Sequence, residues 1–155
     1  MTTAQLINKF YTSFSNRNFK GMQECYADNA TFSDPVFGKL NAQEVKAMWE
    51  MLLKRAADLH VIYKNVWEDG ENGGAEWIAT YTFTTTGRKV VNKISAVFVV
   101  KDGKIISHQD TFSFYNWSKQ SLGITGLLLG WSGFLKNKIS VQAKKNLADY
   151  IKKTT

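Results

Sequence analysis

The apolar positions along the chain change their period, and each change marks a new element. Between Leu6 and Phe14 they fall at Leu6, Ile7, Phe10 and Phe14, which lie on one face of a helix with Tyr11 on its shoulder. Asn18 can cap a second, short helix whose apolar positions are Phe19, Met22 and Tyr26, with Cys25 between them, ending near Asp28-Asn29. Ala30-Thr31-Phe32-Ser33 is too short and too β-inclined for a helix, and Asp34-Pro35 turns the chain at its single proline. Asn41 followed by Glu44 is a capping box, so a third helix starts there with the stripe Val45, Met48, Trp49, Leu52 and Leu53.

Beyond Ala57 the period drops to two. Val61, Tyr63 and Trp67 alternate with His60, Ile62, Lys64 and Val66, and a turn follows over residues 69–74. Trp77, Ala79, Tyr81 and Phe83 share a face of the next strand, opposite Ile78, Thr80, Thr82 and Thr84. After a turn at Gly87, Val90 to Val100 forms a third long strand, and Lys101-Asp102-Gly103-Lys104 is a tight hairpin. Strands joined by turns pair mostly antiparallel, so three helices followed by this run predict an α+β fold with helices covering one face of a curved sheet.

The stretch from Lys104 to Trp117 reads as the last strand. One face carries Ile106, His108, Asp110, Phe112 and Phe114; the other carries Ser107, Gln109, Thr111 and Ser113. An imidazole and a carboxylate turned toward an apolar interior are costly unless paired or used, which makes His108 and Asp110 the chain's best candidates for chemistry. Two readings remain open. The pair can exchange protons in a cavity, with the carboxylate fixing the imidazole tautomer, or it can be a satisfied polar pair that sets strand register or closes a subunit contact.

The last segment breaks this regularity. Leu122 to Trp131 is strongly apolar but interrupted by three glycines, and it is too short to cross a bilayer, which takes about 20 apolar residues. It is expected to close the open end of the sheet or to sit in a subunit contact, with membrane-surface insertion as a further option. Past Gly133, Leu135, Ile139, Ala143, Leu147, Tyr150 and Ile151 recur at helical spacing, and the lysines fall largely on the opposite face.

Composition narrows the picture. At 155 residues, 44% of them hydrophobic and 14% aromatic, the chain supports one domain with a sizeable core, either filled or hollowed into an apolar cavity. The net charge of +7 comes from scattered lysines; only Arg17, Arg55 and Arg88 are present, none beside an aromatic platform, so nucleic acid is not an expected partner. Cys25 is alone, so neither an internal disulfide nor a thiolate metal site is expected. The first residues lack the apolar run of a signal peptide, and a cytoplasmic protein is the expectation.

The order of elements, together with Ala27-Asp28-Asn29-Ala30-Thr31-Phe32-Ser33-Asp34-Pro35-Val36, resembles the nuclear transport factor 2-like superfamily, which includes ketosteroid isomerase, the SnoaL-like polyketide cyclases and limonene epoxide hydrolase. The resemblance covers roughly residues 4 to 117, and the ending from Trp117 to Ile151 resembles a bacterial SnoaL-like subgroup without an assigned activity. It implies an α+β cone around an apolar pocket, with residues 118–155 as an extension packing on or closing one domain, and usually a second copy on the sheet's outer face.

By this resemblance Asp34 takes the place of the isomerase's general base and Trp49 that of a pocket tyrosine. Phe10 and Ser95 fall where the isomerase has its two oxyanion donors, so steroid isomerase chemistry is not expected. The epoxide hydrolases place an arginine between two aspartates, a pattern absent from these strands. The cyclases use an aspartate on a late strand, a role open to His108 or Asp110. The expectation is therefore a pocket protein for a small apolar molecule, lined by Phe10, Phe14, Trp49, Ser95, Phe112 and Phe114, with Asp34, His108 and Asp110 as candidate catalytic groups. No metal or cofactor is expected. The activity would be that of an isomerase, cyclase or hydrolase; the alternative is a non-catalytic binder of an apolar metabolite or lipid.

Overall fold

Two capping boxes set the starts of the main helices: Thr2 with Gln5, and Asn41 with Glu44, each pair exchanging side-chain and backbone hydrogen bonds. In a computed structural model that describes residues 1–155, helix α1 (Thr3–Ser15) buries Leu6, Ile7, Phe10, Tyr11 and Phe14. Helix α3 (Ala42–Arg55) buries Val45, Met48, Trp49, Met51 and Leu53. Between them lie α2 (Phe19–Glu24), capped by Asn18, and strands β1 (Tyr26–Asp34) and β2 (Gly38–Asn41).

Strands β3 (His60–Asp69), β4 (Asn72–Phe83), β5 (Arg88–Lys101) and β6 (Lys104–Thr111) complete one curved, open six-stranded sheet in the order β2-β1-β6-β5-β4-β3. All neighbours are antiparallel except β1 and β6, which run parallel near the middle. The helices α1 and α3 cover the concave face, giving the expected α+β cone. Along β5 the alternation is strict: Val90, Asn92, Ile94, Ala96, Phe98 and Val100 are buried, while Val91, Lys93, Ser95 and Val97 face outward.

Three expectations need correction. The second helix stops at Glu24 and Tyr26 opens β1, because the Cys25 carbonyl accepts from Ile105 N at 2.8 Å and commits the chain to the sheet. In β6, Ile105 pairs with Val100 and Ser107 with Val99, so Ile106 is an extra, bulged residue; Ile105, not Ile106, is buried. The last strand also ends earlier than its alternation suggests. It stops at Thr111, and Ser113 caps a helix α4 (Phe114–Leu122) by accepting from Asn116 N at 3.2 Å.

The chain then runs through α5 (Ile124–Leu129) into α6 (Gly133–Thr154). Leu147 and Tyr150 of α6 join the main core, where the Tyr150 hydroxyl donates to Glu50 of α3 at 2.5 Å. Phe114 and Trp117 of α4 form a small second cluster with Val90, and Trp117 Nε1 donates to Tyr81 Oη at 2.7 Å. No helix is long and apolar enough to cross a membrane.

Candidate functional site

The parallel pairing of β1 with β6 assembles the site. Phe32 sits beside His108 and Ser33 beside Gln109, where the ladder ends, and the next residues, Asp34 and Asp110, are near enough that the charge of Asp110 acts on the Asp34 carboxyl. On the other side of β6, His108 faces Phe98 and Asp110 faces the small Ala96. Three ionisable residues far apart in sequence are thus neighbours on one sheet face.

His108 and Asp110 form a hydrogen-bonded chain sealed inside the core, at 1% and 4% exposure. His108 Nε2 lies 2.9 Å from Asp110 Oδ1, and Nδ1 lies 2.7 Å from Tyr26 Oη. Tyr26 Oη also accepts from Trp49 Nε1 at 2.9 Å, and Trp77 Nε1 donates to Asp110 Oδ1 at 3.4 Å. Only one arrangement of protons gives every donor an acceptor. Trp49 donates to the Tyr26 oxygen, the Tyr26 hydroxyl donates to Nδ1, and His108 carries its proton on Nε2 and donates it to Asp110. Burial, reinforced by the charge of Asp110 and opposed by the Trp49 N–H, holds the Tyr26 hydroxyl well above the usual tyrosine range.

Aromatic rings fill the space around this chain. Phe98 stacks on the imidazole at 4.2 Å between centroids, and Phe32 and Phe10 meet it edge-on at 5.0 and 5.5 Å. Phe14 packs 5.0 Å from Trp49 and 5.2 Å from Trp77. The open apolar pocket expected at this face is therefore closed by interlocked rings. Two surface depressions lie elsewhere and are polar: one of about 430 Å³ beside Arg55 and Lys152, and one of about 290 Å³ beside Asn92 and Lys119.

Asp34 is the group of the three that is not sealed. Its Oδ1 accepts from Val36 N at 2.9 Å and Phe37 N at 2.6 Å, which closes the turn into β2. Burial pushes its carboxyl up to about 6; the two N–H donors and His108 pull down, while the charge of Asp110 pushes further up. The half-buried Val36, Tyr81 and Phe112 pack against both the main core and the Phe114–Trp117 cluster, so the rim next to Asp34 lies under α4.

The remaining site candidates divide. Phe10, Phe14 and Trp49 lie in the ring cage. Ser95 does not line it: the alternation of β5 turns it outward, opposite Ala96. Phe112 is half-buried at the rim, and Phe114 belongs to α4 rather than to the strand face.

Two residues were missed by periodicity. Tyr26, which helical spacing places in the second helix, links Trp49 to His108 in the hydrogen-bonded chain; its alternation with Ala30 and Phe32 is the strand signal. Tyr11 is fully buried with its hydroxyl lacking any protein partner, and burial, reinforced by the charge of Asp110, raises that hydroxyl well above its ordinary value.

Comparison with known proteins agrees with this architecture. No match was found among curated proteins. Among solved structures, IdmH of Streptomyces antibioticus, a candidate polyketide cyclase, superposes with a TM-score of 0.67 at 16% identity, covering 80% of this chain and 100% of that one. An LEH-like epoxide hydrolase from M. tuberculosis gives 0.66 at 19% identity, covering 82% and 95%. TerC, co-crystallised with polyporic acid, gives 0.60 at 15% identity, covering 71% and 90%. At these identities the likeness is one of fold. A family model described as the SnoaL-like domain matches residues 7–108, from the middle of α1 to His108, and the chain belongs to that family.

Proposed function

We propose that this chain is a cofactor-independent proton-transfer enzyme acting on a small apolar molecule, with Asp34 as the general base. The observation that carries the reading is the gathering of Asp34, His108 and Asp110 on one face of an aromatic interior. Burying ionisable groups adds little to stability, and a well-packed apolar set of the same volume is often as stable or more so, so such a cluster points to use.

A carboxyl with a pKa of about 6 is largely ionised at neutral pH yet basic enough to take a proton from carbon next to a carbonyl. The electron pair of the broken C–H bond moves onto the carbonyl oxygen. Tyr11 Oη, buried without a partner, is the donor suited to that developing oxyanion; Tyr26 Oη is occupied by His108 and Trp49. Returning the proton from Asp34 to another carbon completes an isomerisation, and attack of the carbanion on a second carbonyl, with protonation of the new alkoxide, completes a cyclisation. Asp110, fixed by the His108 N–H, supplies the negative charge against which Asp34 is set. Access runs past Val36, Tyr81 and Phe112, whose displacement opens the rim.

The sealing of His108 and Asp110 favours a second reading, in which the pair only fixes the core and the rim binds an apolar ligand without chemistry. The two are separated by incubating the protein with apolar aryl ketones in D2O and following deuterium at the α-carbon by NMR. Exchange above buffer that disappears in Asp34→Asn supports the enzyme. Ketone binding, seen as a thermal shift, without exchange supports the binder, and neither binding nor exchange removes both. We further propose that a second copy packs on the outer sheet face, where Ile62, Val91 and Val97 are exposed.

A further inference from the structure

The tip formed by α5 and the start of α6 inverts the usual pattern of a helix on a protein surface. Gly126 and Gly130 are buried against α4: a Cβ on Gly126 would lie 1.8 Å from the Ser118 carbonyl oxygen, and one on Gly130 would lie 2.2 Å from Ser118 Oγ. With the glycines inside, the large apolar residues point out. Ile124, Trp131 and Phe134 are 75%, 76% and 77% exposed, and Leu127, Leu128 and Leu129 are exposed with them. Such a contiguous patch marks an interaction surface.

The last carbonyls of α5 are already satisfied from within. The Leu127 carbonyl accepts from Tyr115 Oη at 3.3 Å, that of Leu128 from Trp131 Nε1 at 2.8 Å, and that of Leu129 from Ser132 Oγ at 2.7 Å. Gly126 O accepts from Gly130 N at 2.8 Å. The carbonyls that end a helix normally need water, and here they do not. The indole N–H of Trp131 is internally paired as well. The C-terminal end of α5 can therefore leave water without stranding these carbonyls, which favours entry at the bilayer interface.

The charge around it is one-signed. From Thr111 to Ala148 there is no Asp or Glu, whereas Lys119, Lys136 and Lys138 are present on the segments that flank the tip. A second copy docked tip to tip would bring these lysines together, while an anionic surface would attract them. With α5 only six residues long, the tip inserts and does not span. We propose that the α5–α6 tip docks this protein on anionic lipid bilayers, with Leu128, Trp131 and Phe134 entering the acyl boundary and Lys136 and Lys138 meeting the headgroups. This stands independently of the proton-transfer reading.

The test is flotation of the intact chain with phosphatidylcholine vesicles, with and without phosphatidylglycerol. The expected result is binding to the mixed vesicles, weakened by salt, with a loss of about tenfold or more in Leu128→Ser/Phe134→Ser at unchanged circular dichroism. Lys136→Gln/Lys138→Gln is expected to lose about tenfold on the mixed vesicles only. No binding by the intact chain overturns the proposal, as does undiminished binding by the leucine and phenylalanine variant. Self-association that this variant abolishes, with vesicles left unbound, overturns it in favour of a second copy.

Discussion

The side chains of the buried chain differ in what their removal exposes. Tyr26→Phe strands both Trp49 Nε1 and His108 Nδ1 in a dry interior, and the expected cost is about 2 to 4 kcal/mol in urea unfolding. Tyr11→Phe removes a hydroxyl with no protein partner and should be neutral or slightly stabilising in the same measurement, while lowering exchange activity. A destabilisation by Tyr11→Phe as large as that by Tyr26→Phe would show that its hydroxyl is structural.

Asp34 gives a pH-dependent signature. Its folded-state pKa is raised from 3.8 to about 6, so between those values the folded protein binds more protons than the unfolded chain and stability falls as pH rises. Asp34→Asn keeps an oxygen for the Val36 and Phe37 N–H groups but carries no charge. It should therefore be more stable than the parent above pH 6, by on the order of 2 kcal/mol, and lose that advantage below about pH 4. Thermal unfolding across this window measures it; a gain independent of pH would contradict the raised carboxyl.

At the scale of elements, the junction after β6 and the α4–α5 contact are the sensitive points. Ser113→Ala removes the cap of α4 and should cost about 1 kcal/mol, with faster amide exchange confined to that helix. Gly126→Ala forces a methyl into the Ser118 carbonyl, so α5 should detach, seen as fast exchange over residues 124–129 with the sheet still protected.

These elements also show what the sequence made legible. The capping boxes and the period of two in β4 and β5 are local chemistry, and they place α3 and the sheet faces directly. The break at Thr111 was hidden because Phe112 and Phe114 continue the strand alternation, although Ser113 and the buried Phe114, Trp117, Ser118 and Ser121 carry a cap and a helical period. Ser95 was misplaced by a register error of one, which in a strand reverses the face. The partnership of Asp34 with Asp110 depends on a parallel pairing across 76 residues of sequence, which no local pattern encodes.

At the scale of the molecule, the outer sheet face and the tip are separate surfaces with separate consequences. If copies pair through the sheet, Val97→Asp should convert a dimer to a monomer in analytical ultracentrifugation without loss of fold, since Val97 is exposed in the single chain. The curved sheet holds the three ionisable groups on its inner face, and Phe114 and Trp117 of α4 pack against the rim beside Asp34.

The proposed chemistry rests most heavily on Asp34 acting as a base, its carboxyl raised by burial and pushed further by the charge of Asp110. The pH profile of ketone deuterium exchange tests this directly in the parent and in Asp110→Asn. The prediction is a rise with a midpoint of about 6 in the parent and a lower midpoint in the variant, because removing the neighbouring charge lowers the Asp34 carboxyl. Exchange with no inflection near 6, or a midpoint unmoved by Asp110→Asn, would contradict it.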